Sequence, residues 1–180
     1  MDVLAKLEQQ DERTMKEVMD QYGSYLKRSS YLMVKDEQLA EEIVQDSFIK
    51  AFRNIHQLKE PEKLKSWLTT ITYNLCRSHL RKKRFKLFSI SDHDHHLEDE
   101  REEQPESYIV RISQNQQLAK AVLQLKDTYR EVIVLFHYDE YSIEEIEAIT
   151  GMKQPTIKTR LRRGRNHLKE ILEKGGLGDE

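Results

Sequence analysis

Apolar residues recur every three or four positions along most of the chain, which is the spacing of one face of an α-helix. Over 12–34 the recurring positions are Met15, Val18, Met19, Tyr22, Leu26, Ser29 and Met33. A second stripe comprises Ala40, Ile43, Val44, Ser47, Phe48, Ala51, Phe52 and Ile55, and a third, over 64–85, comprises Leu64, Trp67, Leu68, Ile71 and Leu75. Three amphipathic helices can bury one another's stripes, so residues 1–88 are predicted to form one domain.

Two segments interrupt this pattern. Residues 56–65 are polar and contain Pro61, which predicts a loop. Residues 89–107 are acidic, contain Pro105 and have no helical period, so a flexible acidic linker is predicted. Only six glycines and three prolines occur in 180 residues, which favours long helices with short connections.

Helical spacing resumes after the linker. One stripe comprises Ile109, Ile112, Leu118, Ala119, Val122, Leu123 and Leu125, and another comprises Tyr129, Val132, Ile133 and Phe136. Asp127 is a candidate cap for the second of these helices, as Asp36 is for the helix over the Ala40 stripe. The predicted fold is therefore all-α, with two small helical domains at 1–88 and 108–174, the linker between them and a disordered tail at 175–180.

The strongest local signal begins at Ser142. Glu145 follows three residues later, as in a capping box, and Tyr141 and Ile146 flank the pair with the spacing of a hydrophobic staple. Gly151 can supply the positive φ that ends a helix. A helix over 143–150, a turn and a final helix over 155–172, with Pro155 in its first turn, are therefore predicted to form a helix-turn-helix.

In the second helix of this motif, Ile157, Leu161 and Leu168 are predicted to lie on the inner, buried side. The opposite side, which is basic, is therefore predicted to face DNA. In helix-turn-helix proteins this helix enters the major groove, where Arg and Lys donate to guanine. The candidate DNA-binding residues are Lys153, Gln154, Lys158, Thr159, Arg162, Arg163 and Arg165. A solvated basic helix in an ordinary bundle is the alternative interpretation.

Charge is segregated along the chain although the net charge is only −2. Residues 77–86 hold six bases and no acid, 91–106 hold eight acids and one base, and 152–169 hold seven bases and no acid. Because local charge governs the attraction of phosphates, two basic segments separated by an acidic one favour nucleic acid binding.

Several other classes are excluded. No apolar run approaches the ~18 residues of a membrane span, the N-terminus lacks a signal-peptide core, and the single Cys76 cannot form an internal disulfide. We therefore expect a cytoplasmic protein without membrane insertion. No Gly-rich phosphate loop, nucleophile elbow, His-Glu-x-x-His or Cys pair is present, so neither an enzyme nor a cofactor is expected.

A metal site is not expected either. His93, His95 and His96 are the candidate ligands, but they fall in the acidic linker. A flexible loop lacks the fixed geometry and supporting shell that metal ligands need.

Three segments resemble extracytoplasmic-function (ECF, group 4) sigma factors of the sigma-70 family. Tyr141-Ser-Ile-Glu-Glu-Ile through Gly151, with Pro155-Thr-Ile-Lys-Thr-Arg-Leu-Arg-Arg-Gly-Arg, resembles their region 4 helix-turn-helix. Ala40-Glu-Glu-Ile-Val-Gln-Asp-Ser-Phe-Ile-Lys-Ala-Phe resembles their region 2 polymerase-binding helix, and Ser66-Trp-Leu-Thr-Thr-Ile-Thr-Tyr-Asn-Leu with Arg81-Lys-Lys-Arg resembles their promoter-melting segment. The chain departs from the family at Pro155, where Gly is frequent, and at Glu147, where a small Ala is usual.

The resemblance implies a sigma factor that directs promoter-specific initiation, in a stress or envelope response. Region 2 would dock on core RNA polymerase through the β′ clamp helices and read the −10 element, and region 4 would read the −35 element beside the β flap. The residues it implies for polymerase docking are Gln45, Asp46, Ile49 and Arg53. Those implied for the −10 element are Lys59, Lys63, Lys65, Asn74, Arg77, Arg81 and Lys82, and the helix-turn-helix candidates above would serve the −35 element.

Some points stay open at this level. Trp67 is predicted to be a core residue rather than a base-stacking one, and Tyr73 is the better stacking candidate. The family further implies an anti-sigma factor as partner and a linker suited to the basic RNA channels of polymerase. A stand-alone dimeric helix-turn-helix regulator is the main alternative function, and a sigma-like module that sequesters a partner is a third.

Overall fold

The computed structural model of the chain describes residues 3–90 and 116–176, which form helices and short connections, with no strand among them. The eight α-helices are α1 (Val3–Glu8), α2 (Glu12–Val34), α3 (Glu37–Arg53), α4 (Leu64–Ile90), α5 (Gln116–Gln124), α6 (Asp127–Ile133), α7 (Ile143–Thr150) and α8 (Gln154–Gly176). The all-α prediction is confirmed. The predictions for the linker, the His93, His95 and His96 cluster, Ile109 and Ile112 lie outside the described residues.

Side-chain caps set the start of α2 and α3. The Asp36 carboxylate accepts a hydrogen bond from the Leu39 amide at 2.9 Å, which confirms the predicted cap of α3. Asp11 does the same for α2, accepting from the Thr14 amide at 2.9 Å. Each cap satisfies one of the amides that a helix N-terminus leaves without an intrahelical partner.

The first module comprises α1–α4. The predicted loop between α3 and α4 contains two short 3-10 turns, Ile55–Gln57 and Pro61–Lys63. A buried cluster joins its helices through Leu4, Leu7, Val18, Leu26, Val44, Phe48, Ala51, Ile55, Leu58, Leu64 and Leu68. Trp67 is half-buried against this cluster, which confirms its core position. Helix α4 continues to Ile90, past the predicted end at residue 85.

The second module comprises α5–α8, and one capping prediction within it is wrong. Helix α6 begins at Asp127 itself, and Lys126 takes the capping position without a side-chain hydrogen bond. Asp127 therefore lies one residue too late to cap, because a cap must precede the first helical residue. Its carboxylate instead accepts from the Arg130 guanidinium at 2.6 Å.

The two modules pack against each other along α2 and α4. One buried cluster contains Tyr31, Leu32, Met33, Tyr73 and Cys76 from the first module together with Val122, Leu135, Ile146 and Ile157 from the second. Arg130, only 1% exposed, donates to the Met33 carbonyl at 2.7 Å and to the Leu125 carbonyl at 2.6 Å. A buried guanidinium thus satisfies carbonyls of both modules, including one at the end of α2, where helical carbonyls lack intrahelical partners. Among the described helices, none is long and apolar enough to cross a membrane.

Candidate nucleic-acid interface

The helix-turn-helix is built from local hydrogen bonds. The Ser142 amide donates to the Glu145 carboxylate at 2.8 Å, and the Ser142 hydroxyl accepts from the Glu145 amide at 3.2 Å, so the predicted capping box is confirmed. Gly151 ends α7 with a φ of 72°, and its amide donates to the Glu147 carbonyl at 2.8 Å. Glycine suits this position because side chains other than glycine's are strained at positive φ.

A close approach between α8 and α6 positions the second helix of the helix-turn-helix, and sequence analysis missed it. A Cβ placed on Gly164 would lie 3.1 Å from Ile133 Cγ1 and 3.3 Å from Tyr129 Cβ. Because residue 164 has no side chain, the two helices can approach this closely. The unusual Glu147 also takes part, since its carboxylate accepts from the Gln154 amide group at 2.9 Å and links α7 to the start of α8.

The −35 candidates mostly lie on the outer face of α8. Five of them are exposed: Lys153, Lys158, Arg162, Arg163 and Arg165. Ile157 and Leu161 are buried on the opposite side, as predicted. Thr159 is half-buried, and Gln154 is half-buried and engaged with Glu147. The outer face of α8 therefore presents exposed cations at Lys158, Arg162 and Arg163. That these residues contact bases stays a prediction.

Arg165 differs from the other cations of this face. Its Nε donates to His137 Nε2 at 3.2 Å, and its guanidinium lies 5.3 Å from the centre of the Phe136 ring. Burial and the neighbouring Arg165 lower the pKa of His137, which favours the neutral ring that can accept this hydrogen bond. Arg165 is consequently held toward α6 and is positioned more rigidly than Arg162 or Arg163.

The −10 candidates divide into three groups. Asn74, Arg77 and Arg81 are exposed and line one groove along α4, of about 670 Å³. Lys82 lines a different groove with Val34 and Leu39. The structure thus brings three of the predicted residues together on one face. The same face also holds four residues that were not among the −10 candidates, namely Ser78, Arg84, Phe85 and Phe88.

The remaining −10 candidates lie at the loop before α4. Lys59 donates to the His56 carbonyl at 2.9 Å, and Lys63 donates to the Glu60 carboxylate at 2.6 Å. The Lys65 ammonium lies 4.8 Å from the centre of the Tyr25 ring and 5.5 Å from that of the Tyr141 ring. Both lysines of this loop are exposed, but Glu60 and Glu62 balance their charge, and Lys65, in α4, is shared with the contact between the two modules.

The polymerase candidates occupy the outer face of α3. Gln45, Asp46, Ile49 and Arg53 are all exposed, and Ile49 is 49% exposed. The inner face of the same helix buries Ala40, Ile43 and Phe48 in the core of the molecule. An exposed isoleucine among charged residues is available to a partner, and its docking role stays a prediction.

Tyr73, the better base-stacking candidate in the sequence, is not accessible to DNA in this arrangement. Tyr73 is only 2% exposed, and its hydroxyl donates to the Glu131 carboxylate of α6 at 2.8 Å. Arg160 of α8 donates to the other oxygen of Glu131 at 2.7 Å. Burial raises the pKa of Glu131, while the Tyr73 hydrogen bond and the Arg160 charge counteract it. Tyr73 is therefore part of the contact between modules, which no local pattern could reveal.

A second polar cluster joins α2, α4 and the segment before α7. The Tyr141 hydroxyl lies 2.8 Å from the Thr69 hydroxyl and 3.2 Å from that of Tyr25, and Tyr25 and Thr69 lie 3.0 Å apart. Burial raises the pKa values of both tyrosines, so they stay neutral hydrogen-bonding groups.

Asp139 lies beside this cluster and is 4% exposed. It follows a π-helical turn, Val134–Tyr138, which α6 forms at its end, and its amide closes that turn on the Val134 carbonyl at 3.0 Å. The Ser29 hydroxyl of α2 donates to Asp139 Oδ1 at 2.6 Å, whereas Oδ2 has no hydrogen-bond partner among the described residues. Burial raises the pKa of Asp139 to about 7, against the Ser29 hydrogen bond and the charges of Lys65 and Arg28.

Family comparisons match both modules. Residues 18–86 match the family described as Sigma-70 region 2, and residues 115–168 match the family described as Sigma-70, region 4. These spans coincide with the α2–α4 and α5–α8 parts of the fold, and together they cover more than half of the chain.

Whole-chain comparisons agree with the two matches. The chain is 30% identical to the ECF RNA polymerase sigma factor SigW of Bacillus subtilis, covering 90% of each chain, and 29% identical to SigM of the same organism, covering 93% of this chain and 99% of that one. It is also similar to the sigma factor RpoE of Bartonella quintana, solved in complex with the anti-sigma factor NepR. The TM-score is 0.68 at 26% identity, and the match covers 92% of this chain and 98% of that chain.

Proposed function

The chain belongs to the ECF group of the sigma-70 family of RNA polymerase sigma factors, and we propose on this premise that it binds core RNA polymerase and directs initiation at promoters with −10 and −35 elements. The main observation that supports this proposal is that each module presents one basic helix face. Helix α4 contains no acidic residue, and neither does the segment 152–169 that includes the outer face of α8. Two such faces suit two separated contacts with one DNA duplex.

Within this proposal the two faces have different tasks. Lys158, Arg162 and Arg163 of α8 would meet the major groove of the −35 element, because side chains of such a helix reach base edges there. Asn74, Arg77 and Arg81 of α4 would meet the −10 element. Cations on both faces would also contact phosphates. Such contacts fix the position of the protein on the duplex but do not recognise its sequence.

Reading both elements requires the modules to separate. The positions −10 and −35 are about 25 base pairs apart, which corresponds to roughly 85 Å at 3.4 Å per base pair. A compact body of about 150 residues has a radius of gyration of about 15 Å, so it is about 40 Å across. The closed arrangement described here is too small to reach both elements of a straight duplex, and docking on polymerase would open it.

The proposed partners follow from the same premise. The exposed face with Gln45, Asp46, Ile49 and Arg53 would dock on the β′ clamp helices, and the second module would lie beside the β flap. An anti-sigma factor is a further proposed partner, supported by the RpoE–NepR complex to which the chain is similar. The chain would have no catalytic chemistry of its own, since RNA synthesis belongs to the polymerase.

Transcription with purified components tests this proposal. The chain is added to core polymerase and fragmented genomic DNA, and the 5′ ends of the transcripts are sequenced. Start sites that need the chain and share two upstream elements are expected. If the chain adds no starts to core polymerase but leaves symmetric footprints on DNA by itself, it is a stand-alone dimeric regulator. If it binds polymerase and only suppresses transcription, it is a sequestering module.

Substitutions in α8 test the −35 assignment. Lys158→Ala and Arg162→Ala are each expected to weaken use of the −35 element by about 1–3 kcal/mol, if the side chain contacts a base. Lys169→Ala is the matched control, because this exposed lysine lies on the same helix, farther from the turn, and pairs with Glu173 at 3.7 Å. If Lys158→Ala and Arg162→Ala give the same promoter choice as the Lys169→Ala control, Lys158 and Arg162 do not belong to the −35 site.

A further inference from the structure

The first turn of α8 holds a side-chain pair that the basic face of this helix does not explain. Gln154, the first residue of α8, donates from its side-chain amide to the Glu147 carboxylate of α7 at 2.9 Å. Both side chains are half-buried, whereas the neighbouring Lys158 and Arg162 are exposed. A carboxylate beside a DNA-facing helix repels the phosphates that the cations attract. The presence of Glu147 at this point therefore needs another explanation.

Gln154 lies in line with the proposed −35 residues. Gln154, Lys158 and Arg162 follow one another at steps of four residues, so their side chains lie on one face of α8. Gln154 is the member of this row that lies nearest to the turn. In helix-turn-helix proteins the first residues of the second helix reach the edges of the bases. Gln154 is therefore placed where a side chain can select a base.

The hydrogen bond to Glu147 determines which way the Gln154 amide faces. A free glutamine amide can rotate and exchange the places of its oxygen and its NH2 group. A carboxylate only accepts hydrogen bonds, so the group that faces Glu147 is the NH2 group. Glu147 itself lies on a helix that begins at a capping box and ends at the left-handed Gly151. The orientation of the Gln154 amide is thus set before any DNA is bound.

The hydrogen-bonding groups that remain on Gln154 match those of adenine. The amide has two N–H donors and one accepting oxygen, so the bond to Glu147 leaves one donor and the oxygen. In the major groove adenine presents the N7 acceptor beside the N6 amino donor, and a glutamine amide can bind both at once. Guanine presents two acceptors there, so the oxygen of Gln154 would find no donor on it.

We propose that Glu147 is a positioning residue that holds Gln154 ready to read an adenine in the −35 element. This inference rests on the proposed function, because it takes the −35 element as the site of α8. Gln154 makes both hydrogen bonds to the base, and Glu147 acts only through Gln154. Because the amide is already ordered in the free protein, DNA binding does not have to order it.

Selection of duplex DNA by the full chain tests the pair. A pool of duplexes with a randomised segment is incubated with the chain, alone and together with core polymerase, and the bound molecules are sequenced. The unsubstituted chain is expected to prefer adenine at one position by about fivefold to hundredfold. Gln154→Ala should abolish this preference and keep those at other positions. Glu147→Ala should reduce it by about twofold to tenfold, the range of one hydrogen bond.

Two further variants separate positioning from charge. Glu147→Gln has no charge but keeps an oxygen that can accept from Gln154, so it should retain more of the adenine preference than Glu147→Ala. Glu144→Ala is the matched control, because it removes an exposed carboxylate from the same helix and leaves the Glu147–Gln154 bond in place. It should retain the whole preference. Circular dichroism of each variant excludes loss of helix as the cause.

A double substitution distinguishes positioning from packing. In a chain that already carries Gln154→Ala, Glu147→Ala should change no base preference, since the residue that it positions is gone. If Glu147 only packed α7 against α8, its substitution would still alter the selected sequences in that chain.

The proposal fails if the unsubstituted chain selects no adenine, if the preference survives Gln154→Ala, or if Glu147→Ala reduces it no more than Glu144→Ala does. A cytosine preference that needs Glu147 but not Gln154 would also overturn it, because the carboxylate would then accept from the cytosine amino group itself. If the unsubstituted chain gives no polymerase-dependent starts, the proposed function fails, and selection by the chain alone decides the role of the pair.

Discussion

Asp139 makes the stability of the closed arrangement depend on pH. The carboxyl group is buried where the π-helical end of α6 meets α2, and it accepts one hydrogen bond, from Ser29 at 2.6 Å. Lys65 and Arg28 supply positive charge from α4 and α2, and Tyr25 and Tyr141 are the neutral ionisable neighbours. The substitution that isolates its charge is Asp139→Asn, because an asparagine oxygen can still accept from Ser29.

The size of the effect follows from the pKa of Asp139, which burial raises from 3.8 to about 7. The folded state therefore binds the proton more tightly than the unfolded state. The resulting stabilisation is complete below about pH 4 and is lost as the pH rises through about 7. At 1.36 kcal/mol for each pH unit, the whole interval corresponds to about 4 kcal/mol. Asp139→Asn carries no charge, so it should keep most of this stability at high pH.

Urea unfolding followed by far-UV circular dichroism measures the prediction between about pH 5 and pH 8. The unsubstituted chain should lose stability over this range relative to Asp139→Asn, which should be the more stable protein at about pH 8. Glu140→Gln is the control, because it removes the neighbouring, exposed carboxylate. If Asp139→Asn follows the same pH curve as the unsubstituted chain, or if Glu140→Gln gives the same difference, burial of Asp139 does not control the stability.

Three further predictions test the packing by the same unfolding measurement, one of them with a control substitution. Arg130→Met should cost about 2–4 kcal/mol, because the buried guanidinium satisfies two carbonyls and a carboxylate; a cost below about 0.5 kcal/mol would contradict this. Gly164→Ala should cost about 1–3 kcal/mol through its contact with α6, whereas Gly175→Ala, with nothing near its Cβ, should gain up to about 1 kcal/mol; equal effects would refute the close approach. Ser142→Ala should cost about 0.5–2 kcal/mol by removing the cap of α7, and unchanged stability would show that this cap is dispensable.

Local features of the fold could be predicted from the sequence. The caps at Asp36 and Ser142 and the left-handed Gly151 depend on residues within four positions of each other, so their patterns are visible in the chain. The prediction for Asp127 was also local, and it failed by a single residue. The first residue of a helix is uncertain by one or two positions even when the helix itself is clear.

Features that depend on contact between the modules could not be predicted. Tyr73 was expected to face DNA because its neighbours in the sequence are polar, yet it is buried by Glu131, which lies in the other module. Arg130 has no local sign of burial, and the carbonyl of Met33 that it reaches is far away in sequence. The groove residue Phe88 was missed for another reason, since the predicted end of α4, at residue 85, lies before it.

Polar pairs in the contact between the modules would favour the opening that the proposed function requires. Ser29 with Asp139, Tyr73 with Glu131, and Tyr25 and Thr69 with Tyr141 place polar pairs across it. Such groups recover hydrogen bonds to water when they separate, so each adds only about 0.5–1.5 kcal/mol to closure. An entirely apolar contact of the same extent would resist the separation that two distant promoter elements demand. Lys65 spans this contact, because its ammonium lies over the Tyr25 ring of its own module and near the Tyr141 ring of the other module. If the modules separate as the proposed function requires, Lys65 loses the Tyr141 ring and keeps the Tyr25 ring, so opening frees this exposed lysine from the second module.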